Sequence, residues 1–306
     1  MAGKVIDFHV HPLPTLEDEK LLQELDSASV ELCVLLAVDV DPSALDRTIN
    51  GRPFTYTLVD YGVWDLRALD SAREILRLAR TPNRRVAELV RRHPRRFVGF
   101  GSVNPTRSRR EVEEGLEQVR RLGLKGIKLL PTLQMFSPDR DRRRLEQIFE
   151  FCRTENWIIV YHTGCDPGIW EIPALCDSAR PELLEPILKK YRDVPVVLAH
   201  MGAYSSRFPG IWFEDALKVG KRYSNVWFDV AAVPYLLRER PYVEAIRQAT
   251  GLDRVLFGSD YPVVYGLSIA DAAEEIRLSP LLTGEEKEKI LYYNAKKLLK
   301  DFNLKI

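Results

Sequence analysis

The sequence predicts an α/β fold, a closed (β/α)8 TIM barrel with an extended loop insertion after its second strand. Three observations carry that prediction. Eight short apolar runs recur along the 306 residues, separated by amphipathic helical stretches. The runs are β-branched and rarely alternate strictly, as parallel strands buried on both faces do. Eight such units at this length favour closure into a barrel over an open doubly wound sheet.

In order, strands are expected at "VIDFHV" (5–10), "ELCVLLAV" (31–38), "RFVGFGSV" (96–103), "LKGIKLL" (124–130), "WIIVYH" (157–162), "VPVVLAH" (194–200), "VWFDVA" (226–231) and "RVLFGSD" (254–260). Helices are expected near 17–28, 83–93, 108–122, 139–155, 181–191, 209–222, 234–250 and 284–300. Gly123 reads as the cap of the helix at 108–122, and Pro138 with Asp139 as the opening of the next. Residues 39–80 break the rhythm. With Phe54, Tyr56, Tyr61 and Trp64 they are too apolar for a disordered tail. A long loop at this face of a barrel suits a lid or substrate wall, with a packing or interface excursion as the equal alternative. No Gly-, Ser- or Pro-rich linker divides the chain, so 1–306 is expected to be a single barrel domain with its insertion at about 39–80.

Charge excludes some function classes. Lys+Arg number 45 and Asp+Glu 44, a net charge of +1 that offers nothing to nucleic acid or an acidic partner. The basic run at 80–96 and the acidic one at 283–290 read as solvated helix faces. No basic region followed by an apolar stretch opens the sequence, and no apolar run reaches ~18 residues, so a cytoplasmic protein off the membrane is expected. Cys33, Cys152, Cys165 and Cys176 form no C-x-x-C pair, and Cys33 and Cys152 read as small core residues.

The first strand carries Asp7, His9 and His11 on the polar side of its alternation. Side chains at i and i+2 of a strand share a face, so two imidazoles there can reach one metal ion. Two surface histidines on an edge strand fit that stretch equally well. The rest of the chain decides. Of 5 histidines, four fall at the carboxyl ends of expected strands: His9, His11, His162 and His200. Asp260 ends the eighth strand and Lys128 lies late in the fourth. In a parallel barrel these ends meet at one mouth, where sites of this architecture form. His93, in "RRHPRR", reads as a helix terminus or surface residue. Convergence of the others by accident is improbable, and it points to a metal site.

With "DFHVHP", "GIKLLP", "VYHTG", "LAHMG" and "VLFGSDYP" in this order, the chain resembles the amidohydrolase superfamily, over residue 4 to about 300. The likeness is to its amidohydrolase-related (amidohydrolase 2) branch of metal-dependent TIM-barrel enzymes. The resemblance implies that His9, His11, His162 and Asp260 bind a divalent metal, zinc first, with manganese, cobalt or nickel as alternatives and one ion favoured over two. It implies that His200 is a second-metal ligand in two-ion members, or a substrate-polarising or acid/base residue in one-ion members. Lys128 is then a carboxylated bridge between two ions, a partner for a substrate anion, or half of a structural ion pair.

The chemistry agrees with the resemblance. Zinc with one open position lowers the pKa of its water towards ~7, and Asp260 is placed to carry the proton to a leaving group. The expected function is a metal-dependent hydrolase that cleaves a C–N or C–O bond (amide, cyclic amide, ester or lactone) of a small molecule. The alternative is a metal-dependent non-oxidative decarboxylase of an aromatic or enoic acid, with Trp170 and Arg207 as its aromatic and cationic wall. A non-catalytic scaffold is disfavoured, because no ligand position is missing. Cys165 is tempting as a nucleophile, but Asp166 beside it raises a thiol pKa, and a site with an activated water needs no thiolate. The partners expected are a small-molecule substrate and, in a homo-oligomer, further copies of the chain.

Overall fold

Each apolar run becomes a strand. In the computed structural model, which describes residues 3–46, 48–49, 52–53, 56, 59, 66–302 and 304, these are β1 (Val5–Val10), β2 (Val30–Leu36), β3 (Phe97–Ser102), β4 (Gly126–Leu129), β5 (Ile158–Gly164), β6 (Val196–Tyr204), β7 (Val226–Asp229) and β8 (Val255–Leu256). They pair in sequence order, every pair parallel. The circle closes by backbone bonds beyond the end of β8. Phe8 N–H donates to Phe257 O (2.9 Å), Asp260 N–H to His9 O (2.8 Å) and His11 N–H to Tyr261 O (2.9 Å). A (β/α)8 barrel results.

Two apolar layers hold it. Ile6, Phe8, Leu32, Val34, Phe100, Ile158, Val160 and Val197 form one cluster, joined by Leu298 and Leu299 of the last helix. The alternate strand residues, among them Val5, Cys33, Ile127, Ile159 and Leu198, pack with the surrounding helices. Strict alternation would leave His9 with Val5, on the helix side. The β1–β2 register shifts between Asp7 and Val10, and beyond it His9 meets residues of the mouth. A bulge of this kind re-aims a side chain.

The main helices are α1 (Asp18–Ser27), α2 (Leu66–Ala79), α3 (Asn83–Arg92), α4 (Arg109–Arg121), α5 (Arg142–Glu155), α6 (Glu185–Lys190), α7 (Phe213–Arg222), α8 (Arg240–Ala249), α9 (Ile269–Arg277) and α10 (Asn294–Asp301). Ser108 and Glu111 form a capping box on α4, and Gly123 after it takes a φ of 76° that suits glycine. His93 caps the end of α3, where its N–H donates to Leu89 O. Charged helix faces are laced with ion pairs such as Arg110–Glu114 (2.7 Å) and Glu285–Lys289 (2.8 Å).

Several boundaries differ from expectation, each for a local reason. Within the long connection after β2, α2 replaces part of the expected loop. Phe54, Tyr61 and Trp64 lie outside the described residues, and Tyr56 is exposed. Helix α9, capped by Ser268 and Asp271, was not expected. The helix expected at 139–155 begins only at Arg142, after a turn in which Asp141 accepts the N–H of Ser137 (2.9 Å). β8 is short because Phe257 N–H donates to Ile290 O, outside the ladder, and the backbone turns left-handed at Asp260 (φ 60°). Among the described residues no helix is long and apolar enough to cross a membrane.

One glycine tests the strand end that carries His200. At Gly202 φ is 72°, and a Cβ would stand 2.5 Å from Trp212 O, a backbone atom that cannot swing aside. Gly202→Ala should therefore cost about 2–4 kcal/mol in denaturant unfolding. Gly284→Ala, with nothing within 4 Å of the new methyl, should stay within about 0.5 kcal/mol.

Candidate metal centre

The strand ends bring the histidines to one mouth, and backbone or carboxylate acceptors set how each ring faces. His9 Nδ1 lies 2.9 Å from Asp229 Oδ2, His11 Nδ1 3.2 Å from Leu36 O, and His200 Nδ1 2.8 Å from Ala231 O. Each of those oxygens serves there as an acceptor, so each Nδ1 carries the proton and donates. Every Nε2 then carries no proton of its own. His9 Nε2 and His11 Nε2 face each other at 3.2 Å, where neither can donate to the other.

Asp260 completes the cluster. Its Oδ1 lies 3.4 Å from His9 Nε2 and 3.5 Å from His11 Nε2. Donors bound at about 2.0–2.1 Å around a tetrahedral centre stand roughly 3.3–3.4 Å apart, so this triangle has the dimensions of a metal site. Lys128 Nζ approaches the same His9 Nε2 at 3.0 Å. His162 stands beside them, its ring centroid 4.8 Å from that of His200. Its Nε2 makes no hydrogen bond and faces Asp166 Oδ2 at 3.4 Å. The triad of His9, His11 and Asp260 is thus tight, while His162 and His200 flank it rather than join it.

Burial sets the electrostatics. It pushes His9, His11 and His200 well below the ordinary histidine range and His162 down to about 4, so all four imidazoles are neutral at pH 7. Neutral imidazole is the form that ligates metals. Burial also drives Asp260 well above, and Asp7 up to about 7 from, the usual carboxylate range. Lys128 is lowered to about 8 by the same desolvation, against the pull of Asp229 and Asp260.

Two backbone irregularities aim these groups. His200, Met201 and Gly202 all have positive φ (61°, 47° and 72°). Thr163 bridges the break: its hydroxyl donates to Ala199 O (2.6 Å) and accepts from Gly202 N–H (2.9 Å). Non-glycine residues in this conformation are strained and cluster at functional sites. Just beyond β8, Gly258 leaves no room for a side chain, since a Cβ would lie 2.7 Å from the Cβ of His9.

Asp229, at the end of β7, went unassigned in the sequence reading. Its Oδ2 takes the His9 Nδ1 proton, and its Oδ1 accepts from His200 N–H (2.9 Å) and Ala231 N–H (3.1 Å). With both oxygens in use it orients histidines. Its position near the end of the expected strand, close to the signal that singled out Asp260, could have found it. Asp166 and Tyr204, which stacks on His200 at 4.8 Å, had no such signal.

A pocket of about 220 Å³ opens above the cluster. His11, Lys128, His162, His200, Asp260 and Tyr204 line its base, and Trp170, Ile75 and Ala79 stand in its wall. Ile75 and Ala79 come from α2, so part of the insertion is a wall of this pocket. Arg207 does not line it: its side chain is exposed and lies 3.5 Å from Glu171. Cys165 is buried against Cys176, Ala179 and Trp212, and its thiol is pushed far up by Cys176 and by burial, the state of an inert core thiol.

Solved structures share this architecture. An uncharacterized TIM-barrel protein from Bordetella bronchiseptica is 20% identical, covers 98% of this chain and 100% of its own, and superposes with a TM-score of 0.71. A probable 2-pyrone-4,6-dicarboxylic acid hydrolase from Acinetobacter baumannii is 15% identical over 97% of this chain and 99% of that one, TM-score 0.59. A 5-carboxyvanillate decarboxylase from Novosphingobium aromaticivorans, complexed with manganese, is 21% identical over 92% of this chain and 79% of that one, TM-score 0.60. At such identities the likeness is one of fold. No functionally curated protein matches the sequence. The family model described as Amidohydrolase matches residues 6–300, and the chain belongs to that family.

Proposed function

We propose that the protein is a metal-dependent hydrolase that cleaves a C–N or C–O bond at the carbonyl of a small molecule. The observation that carries this is the set of Nε2 lone pairs. His9, His11 and His200 donate their Nδ1 protons to fixed acceptors, which leaves His9 Nε2 and His11 Nε2 facing Asp260 Oδ1 with no partner of their own kind. We assign one divalent ion to the close triad of His9, His11 and Asp260, with His162, which flanks the triad, as its fourth ligand; the manganese complex of the decarboxylase neighbour supports such an ion. Zinc is the first candidate from the nitrogen-rich donors. When bound, a divalent ion there supplies Lewis acidity and a water acidic enough to ionise near neutral pH.

The chain's own groups do the rest. Asp260 takes the attacking water's proton at its carboxylate and returns it to the leaving nitrogen or oxygen, a task suited to a carboxylate held beside the paired histidines at the floor of the pocket. His200, with its proton fixed on Nδ1, presents Nε2 as a proton acceptor, so we assign it acid/base work over carbonyl polarisation. Lys128 Nζ, 3.0 Å from His9 Nε2, is placed to meet negative charge developing on the carbonyl oxygen. Asp229 holds His9 and the His200 backbone in register.

Decarboxylation of an aromatic acid is the second reading, favoured by Trp170 in the pocket wall and weakened by the position of Arg207. Metal-loaded protein offered aryl esters, lactones and cyclic amides beside hydroxybenzoic acids should release acid without CO2. CO2 from the aromatic acids, with every ester untouched, would reverse the assignment.

Metal content and activity separate the roles. His9→Ala should lose the metal by elemental analysis, while His93→Ala, at the end of α3, should keep it. Asp229→Asn should weaken metal affinity by about 10–100-fold in a chelator competition, because His9 loses its orienting carboxylate. His200→Asn should retain the metal and lose about 10²–10⁴-fold in kcat. Stoichiometric loss of a second ion from that variant would instead give His200 to a two-ion site.

A further inference from the structure

The inventory of the pocket wall says what kind of molecule fits above the reacting carbonyl. Leu13, Val38, Ile75, Leu130, Leu133 and Trp170 make most of that wall. Among the described residues that line it, the charged groups are Lys128, Asp166 and Asp260, and there is no arginine. All three are committed at the base. Lys128 Nζ sits 3.0 Å from His9 Nε2, Asp260 between the paired histidines, and Asp166 accepts the hydroxyl of Thr132 and faces His162. Arg207 is held at Glu171, outside the wall. The largest side chain of the wall itself, Trp170, is neutral and aromatic.

A carboxylate moved from water into such a wall loses its hydration and gains no cation. Apolar groups placed there gain by leaving water. Resting on the hydrolase reading above, we propose that the pocket selects substrates whose non-reacting part is uncharged and apolar. These are alkyl or aryl esters, lactones or amides with one reacting carbonyl, and a second carboxylate is rejected.

A matched pair tests it. Phenyl butyrate and monophenyl succinate differ by a terminal methyl against a carboxylate. On the metal-loaded protein the neutral ester should show a kcat/KM at least about tenfold higher. The ketones butyrophenone and 4-oxo-4-phenylbutanoate give the same comparison as binding, read by calorimetry with the metal present and again after chelation, so that attraction of a carboxylate to the ion is not read as a pocket preference. The neutral ketone should bind at least about tenfold tighter after chelation. Val263→Arg, at the exposed rim of the pocket, should shift both charged-to-neutral ratios towards the charged member by about tenfold. Equal or tighter binding of the charged ketone after chelation overturns the proposal, and so does failure of both ketones to bind. If the neutral ketone binds as expected and neither ester is cleaved, the pocket assignment holds and the hydrolase reading fails.

Discussion

The lone pairs of two histidines, 3.2 Å apart with no proton between them, are the constraint around which this mouth is built. Left alone, such a pair is unfavourable: each nitrogen is withdrawn from water and finds its neighbour's electrons. Protonation would relieve it, yet burial opposes that by disfavouring charge. A cation is the remaining relief. The fold therefore concentrates a demand for positive charge, met on the His9 side by Lys128 Nζ at 3.0 Å, and the hydrogen bonds from Nδ1 to Asp229 and Leu36 keep the rings from turning away to escape it.

Holding that arrangement takes backbone that no regular strand supplies. The register shift in β1 brings His9 to the mouth, the left-handed run from His200 to Gly202 breaks β6, and Asp260 turns left-handed after a β8 of two residues. Asp229 ties two of these together, since its carboxylate reaches His9 on β1 and the His200 backbone within β6. The apolar strand interiors below the mouth, with Phe8, Phe100 and Val160, form the packed floor on which it rests.

Much of this was legible in the sequence because it follows from period and position. β-branched runs separated by amphipathic stretches give parallel strands, and a histidine or aspartate at a strand's carboxyl end has nowhere to point but the mouth. Asp229 obeys the same rule in the structure, but in the expected strand "VWFDVA" it lies two residues before the end, and only the early stop of β7 at Asp229 brings it to the mouth. The irregularities were not legible. A positive φ at His200 leaves no trace but Gly202, and the shortness of β8 comes from Ile290 O, a partner some 30 residues away in sequence, capturing the next N–H. Helix α9 carried a readable capping box at Ser268 and Asp271. Arg207 and Cys165 show the converse: residues close in sequence to the site motifs whose side chains are held elsewhere by Glu171 and by a small buried cluster.

Helix α2 gives the architecture a division of labour. It belongs to the connection between β2 and β3, outside the repeating barrel, yet it lends Ile75 and Ala79 to the pocket. The groups that would move protons ride on strand ends that every turn of the barrel braces, whereas part of the surface that greets the substrate hangs from a segment the barrel does not need in order to close. Part of the pocket wall is thus written on a stretch of chain separable from the strand ends. In such a protein, a lineage or an engineer can redraw residues 39–80 to admit new molecules while the proton chemistry beneath stays as it was.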